Sequence, residues 1–165
     1  MLVFLAVMSF VVAAACVTAQ NLGPLPRIKA GAGGLAPPEV RFTCPVDEAR
    51  RFYTELSAEG RAQYLGPQRR LDTVFPVALA VFMVSVLLLG LPVPLGIILA
   101  ALPVAAMVAD LIENARIAEL LRTAPEDLDD GELTAVGRII TVKFVLFAAS
   151  FMATALGGLR WAFGL

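Results

Sequence analysis

Four stretches of this chain are apolar and long enough to cross a bilayer, and that pattern constrains its fold more than anything else in it. Residues 1–19 carry only Ser9 and Thr18 as polar side chains. Val74 to Leu91 is broken only by Ser85, Leu95 to Ala109 has no polar side chain, and Ile139 to Leu159 forms the fourth run. At about 1.5 Å of helical rise per residue, runs of this size approach the thickness of a hydrocarbon core. Hydrophobic residues make up 59% of the chain and charged ones 16%. A water-soluble fold would expose much of that apolar surface, which monomers avoid. The expected fold is therefore all-α and integral to the membrane, with four transmembrane helices in a single domain over residues 1–165.

The four spans are placed at 1–19, 74–91, 94–109 and 133–159. Asp72 or Thr73 can cap the second, with Pro76 tolerated in its first turn. Leu91-Pro92-Val93-Pro94 is a tight hairpin, and Pro103 marks a kink in the third span. That third helix continues to about Arg122, because Asp110 to Arg122 has no breaker and good helix formers. Thr123-Ala-Pro-Glu126 has the form of a capping box, and Asp129-Asp130-Gly131-Glu132 is the turn from which the last helix starts. Gly157-Gly158 and Ala153-x-x-x-Gly157 offer small surfaces for close helix contact. Val17-Thr18-Ala19 before Gln20 can also be read as a signal-peptide cleavage site. The absence of Lys or Arg before Arg27 and the length of the run favour a retained helix.

Residues 20–71 differ in kind. Gly23-Pro24-Leu25-Pro26, Gly31-Ala32-Gly33-Gly34 and Pro37-Pro38 are expected to break regular structure. After Pro45, residues Val46, Ala49, Phe52, Tyr53 and Leu56 fall on one helical face, with charged residues on most of the rest. One or two short amphipathic helices lying on the membrane surface are expected, with a further short turn before Gly66-Pro67. Eight of the 13 Lys and Arg residues lie in this loop, and Arg116, Arg122 and Arg138 lie in residues 110–138. With four spans both loops share a side. The positive-inside rule puts them in the cytoplasm and both termini outside, in a bacterial inner membrane.

Polar chemistry is scarce. The chain has no histidine and a net charge of −1, which removes His-based triads, His-ligated metal sites and any global attraction to nucleic acid. Cys16 and Cys44 have no metal-site spacing, and Cys16, inside an apolar run, reads as a small core residue. No cofactor, metal or catalytic set emerges. One cluster does. Asp110, Glu113 and Asn114 share a helix face where the third span ends, and Lys143 lies about five residues into the fourth apolar segment. A lysine at that depth is costly unless partnered, and antiparallel packing brings it towards Asp110 and Glu113. The cluster reads as an ion-paired structural lock, the alternative being a proton relay or polar ligand site. Arg50, Arg51, Arg61, Arg69 and Arg70, with Trp161 at the far interface, read as lipid-interface anchors.

Several of these residues together carry a resemblance. Phe52-Tyr53, Glu59-Gly60-Arg61-x-x-Tyr64, Leu71-Asp72-x-x-Phe75-Pro76 and Asp110-Leu-x-Glu113-Asn114, followed by a Lys early in the last span, run in that order over about residues 45–150. In these the chain resembles a group of uncharacterised four-helix bacterial integral membrane proteins. The G-R-x-x-Y and D-x-x-E-N elements are the specific part. The resemblance implies a four-helix membrane fold with the first helix retained, and no activity. Gly66-Pro67 departs from the smooth helical lead-in expected of that group.

The functional expectation is a non-enzymatic membrane protein, an accessory, scaffolding or assembly subunit of a larger complex, whose partners are membrane lipids and other membrane protein subunits. A small oligomeric transporter or channel using Asp110, Glu113 and Lys143 is the alternative. A lipid-modifying enzyme is disfavoured by the missing histidine and acid motif.

Overall fold

The computed structural model describes residues 1–164; Leu165 lies outside the described residues. The described residues are 85% helical and contain no strand, and four helices are long and apolar enough to cross a membrane. In chain order the helices are α1 (Leu2–Leu22), α2 (Pro24–Gly31), α3 (Val46–Glu55), α4 (Ala58–Gln63), α5 (Arg69–Gly90), α6 (Val93–Leu120) and α7 (Asp130–Phe163). Helices α5, α6 and α7 pack on one another, whereas α1 rests chiefly on α5 and α2. Ala13, Ala78, Leu79 and Met83 form the apolar core between α1 and α5, with Phe75, Phe82 and Phe147 against it.

Proline and glycine shape the loop differently from the sequence expectation. Gly23 bends the chain (φ −114°, ψ −99°), but helix resumes at once as α2, with Pro24 in its first turn. A proline there gives up only an N–H that has no helical partner anyway. The break comes later, at Gly33 and Gly34, which have φ of 61° and 89°. Gly66-Pro67 does not interrupt the lead-in to α5 either. Residues Tyr64–Gln68 widen into a π-helical turn that joins α4 to α5. The wider turn accommodates both the missing N–H and the bulk of the Pro67 ring.

Other local expectations are revised at the helix ends. Asp72 and Thr73 lie inside the helix rather than capping it, and the Thr73 hydroxyl donates to the Arg69 carbonyl at 2.8 Å. Thr123 caps nothing; its hydroxyl turns back to the Glu119 carbonyl at 3.1 Å, and Ala124 precedes a short 3₁₀ turn. Helix α7 begins earlier than expected, at Asp130, capped by the Asp129 carboxylate, which accepts from the Glu132 N–H at 3.0 Å.

The amphipathic face of α3 is buried in protein. Ala49, Phe52, Tyr53 and Leu56 join Ile117, Leu120 and Leu121 at the end of α6 and Leu133, Val136 and Ile140 at the start of α7 in one core. Phe52 and Tyr53 are each 1% exposed. The physical reason lies in α6 and α7, whose extensions beyond the apolar runs carry aliphatic side chains that need cover. The loop provides it, so α3 caps the helix ends instead of lying free on a lipid surface.

Candidate functional site

Lys143, on the long helix α7, is the centre of the site. It is 7% exposed. Its ammonium donates to Glu113 Oε1 at 2.7 Å, faces Asp110 Oδ1 at 3.4 Å and reaches the Glu39 carbonyl at 3.5 Å. The Phe144 ring lies 5.3 Å away. Asp110 and Glu113 are one turn apart on α6, so a single helix face presents both to the ammonium. Glu113 is fully buried. Asn114 is not part of this contact: its Nδ2 donates to the Asp72 carbonyl at 2.9 Å, tying α6 to α5. Asp72 in turn accepts from Gln20 at 2.7 Å and Gln68 at 3.0 Å, which links α1 to α5.

Glu39, which the sequence did not single out, is the third carboxylate here. It lies in a short 3₁₀ turn, Pro38–Val40, held in place by the prolines before it. Its Oε1 accepts the Tyr64 hydroxyl and its main-chain carbonyl meets Lys143. Burial pushes its carboxyl above the ordinary glutamate range, against the opposing effect of the Tyr64 hydrogen bond. Burial, then the charges of Glu39 and Glu113, raise the neighbouring Tyr53 hydroxyl well above the usual phenol range. The only local sign in sequence is an isolated acid after Pro37-Pro38, and that pattern alone does not point to a buried site.

Arg61 is a clamp. Its guanidinium donates to the carbonyls of Tyr53 at 2.6 Å, Leu121 at 2.8 Å and Leu56 at 3.4 Å. Those carbonyls lie at the ends of α3 and α6, where helical partners run out. A planar fork of five N–H groups suits several carbonyls at once; an ammonium does not. Gly31 lets α2 lie close to α4, since a Cβ there would meet Ser57 Oγ at 2.7 Å and Gly60 Cα at 3.1 Å. Arg61→Ala should loosen the cap by at least about 1.5–3 kcal/mol, the range for a charge-assisted hydrogen bond. Arg61→Lys should recover less than half. The readout is alkylation of Cys44, a half-buried thiol that burial also pushes up: it should quicken in both variants, most in Arg61→Ala. Unchanged alkylation would mean that the cap does not depend on the clamp.

The remaining sequence-flagged cations have varied settings. Arg50 donates to Asp130 and to the Leu128 carbonyl, both at 2.7 Å, and Arg51 pairs with Glu55 at 2.6 Å. Arg69 is half-buried and Arg70 exposed. Trp161 is 56% exposed and borders an apolar groove of about 200 Å³ with Val3, Ala6 and Val7 of α1 and Phe82, Val86 and Leu89 of α5. Among the described residues no group of three or more His, Cys, Asp or Glu side chains is arranged to hold a metal ion.

No family model, curated protein or solved structure matches the chain. Lys143 and Arg61 join the loop to the long helices from two directions. The G-R-x-x-Y and D-x-x-E-N elements are the two halves of that connection.

Proposed function

We propose that the chain is a non-catalytic, multi-pass protein of the bacterial inner membrane that packs against a larger membrane complex as an accessory, scaffolding or assembly subunit. The observation that carries this reading is the setting of α1. It rests chiefly on α5 and α2, and beside it runs the groove bordered by Val3, Val7, Phe82 and Trp161, whose lining is wholly apolar. A membrane protein gains nothing from burying apolar surface away from lipid, so shape and close contact decide helix association there. A groove open along α1 suits an apolar helix from a partner. The basic loops 20–71 and 110–138 lie in the cytoplasm in this reading, with both termini outside. Arg69 and Arg70 then face anionic head groups.

The alternative is a small oligomeric transporter or channel. It is favoured by the convergence of Asp110, Glu113 and Glu39 on one lysine. Against it, Glu113 is fully enclosed and the Lys143 ammonium is already occupied by protein oxygens.

A photo-cross-linker at Val7, on the groove, and another at Val142, exposed on α7, separate the two readings. A discrete protein adduct at Val7 but not at Val142, with the same protein retained at fixed stoichiometry after gentle extraction, is the expected result. Lipid adducts alone at Val7, together with proton or ion flux by the purified chain in vesicles, would replace the subunit reading with the transporter.

A further inference from the structure

Where α7 enters its apolar run, it borders a groove of about 530 Å³, a volume typical of small-molecule sites. Gly137, Arg138, Thr141 and Val142 form one wall, at a spacing that puts them on one strip of the helix, and residues 43–46 of the loop form the other. Gly137 leaves the space open. A Cβ there would meet nothing within 4 Å except the Cys44 carbonyl oxygen at 3.8 Å, an ordinary contact. Packing of the chain does not require a glycine at this point, and glycine weakens a helix interior.

The charge of the groove is one-sided. No carboxylate lines it, and its single charge is Arg138. Nearby on the loop and the helix ends, Arg41, Arg50, Arg51 and Arg116 are each paired with a carboxylate. Among the described residues Arg138 has no such partner, and the Thr43 hydroxyl has none either. Thr134 and Thr141 donate their hydroxyl hydrogens to the Asp130 and Gly137 carbonyls, at 2.7 and 3.1 Å. The free side-chain donors are therefore one guanidinium and one hydroxyl. The rest of the lining is mostly apolar, and it leads along α7 to Val142 and Val145, 53% and 54% exposed.

An occupant complementary to this surface is anionic at one end and apolar at the other. It also lies where a helix passes from charged to apolar sequence, which is where the head groups of a leaflet sit. We propose that the groove binds one anionic phospholipid, with its phosphate on Arg138 and the Thr43 hydroxyl and an acyl chain over Gly137 and along Val142 and Val145. The planar fork of a guanidinium suits phosphate oxygens. The inference rests on the membrane setting of the chain and not on the subunit reading.

Photo-cross-linking of the full chain in phosphatidylcholine bilayers tests it, with a trace of phosphatidylglycerol or phosphatidylcholine carrying a diazirine on its acyl chain. The phosphatidylglycerol analogue should concentrate its adducts in residues 134–145 and 42–46, and the phosphatidylcholine analogue should label the exposed faces of the long helices evenly. Arg138→Gln should cut the concentrated adducts about tenfold, the lower end for a charge-assisted hydrogen bond. Arg122→Gln removes an equally unpartnered side chain away from the groove. It should leave the adducts within about twofold, since that charge acts only through the screened surface potential. Gly137→Leu should block them with the charge intact; should that variant fail to fold, Arg138→Gln, a change at an exposed residue, decides. Equal labelling by the two analogues, equal loss in the two arginine variants, or adducts that survive in folded Gly137→Leu would overturn the proposal. So would their displacement by inorganic phosphate, because the groove would then hold a free anion and not a lipid. No adduct from either analogue anywhere on the chain would overturn it together with the membrane setting.

Discussion

Lys143→Ala should destabilise the protein by about 3–5 kcal/mol, the usual cost of removing one partner from a buried ion pair. The lost contact is only part of that cost. Asp110 and Glu113 remain on α6 with no cation between them, and the Glu39 carbonyl loses the ammonium that holds the Pro38–Val40 turn. A charge left within a membrane costs about 2.5–3.5 kcal/mol at the centre on insertion scales and less near the interface. The effect should therefore reach beyond α7, raising protease sensitivity in residues 41–57. Unfolding of the purified variant in bilayers or mixed micelles measures the loss, and a change under 1 kcal/mol would contradict it. Lys143→Arg should be tolerated poorly as well, because the larger planar head must fit where a compact, enclosed ammonium meets three oxygens within 3.5 Å.

Gly90→Ala should be the second severe change. At the end of α5 the backbone passes directly over α7, and a Cβ on Gly90 would lie 1.8 Å from the Gly157 carbonyl oxygen and 2.4 Å from its carbon. Both atoms are main chain, so no rotamer change relieves the clash and the two helices must part. Overpacking typically costs about 1–3 kcal/mol and occasionally more; a clash with backbone belongs at the upper end. The contact is not symmetrical. A Cβ on Gly157 would meet its nearest neighbour, the Val86 carbonyl oxygen, at 3.4 Å, and one on Gly66 would meet nothing within 4 Å. Gly157→Ala should therefore be mild and Gly66→Ala close to neutral. Equal thermal shifts for all three variants would show that helix propensity, and not the crossing of α5 over α7, sets the response.

How far the sequence revealed this arrangement depends on how strongly each residue restricts its own surroundings. Lys143 restricts them severely, since a cation at that depth needs a partner, and the nearest acids at matching depth are Asp110 and Glu113. The apolar runs likewise mark the four long helices, although their ends shift where helix continues beyond the apolar run. Gly157 was visible as a small surface, but Gly90, its partner in the closest contact, was not, because the contact depends on where two helices cross. Glu39 and Arg61 restrict little locally. A glutamate after two prolines and an arginine in a charged helix are both consistent with solvent, and only docking of the loop on α6 and α7 gives each its task. The same docking redirects the apolar face of α3 from lipid to protein. It also explains why Gly66-Pro67, a breaker by local rules, is absorbed into a π turn: the chain must stay helical to carry Arg61 and Tyr64 to their partners.

A double-mutant cycle on Lys143 and Glu113 in a bilayer tests most directly the claim that one buried ion pair joins α6 to α7 and secures the loop. Lys143→Ala, Glu113→Gln and the combination are unfolded under identical conditions. If the 2.7 Å contact acts as described, the double variant should recover part of the loss seen in Lys143→Ala, with a coupling energy of about 0.5–3 kcal/mol, as for residues in direct contact. Additive losses, with coupling below about 0.5 kcal/mol, would contradict it and leave Lys143 and Glu113 as independent charges.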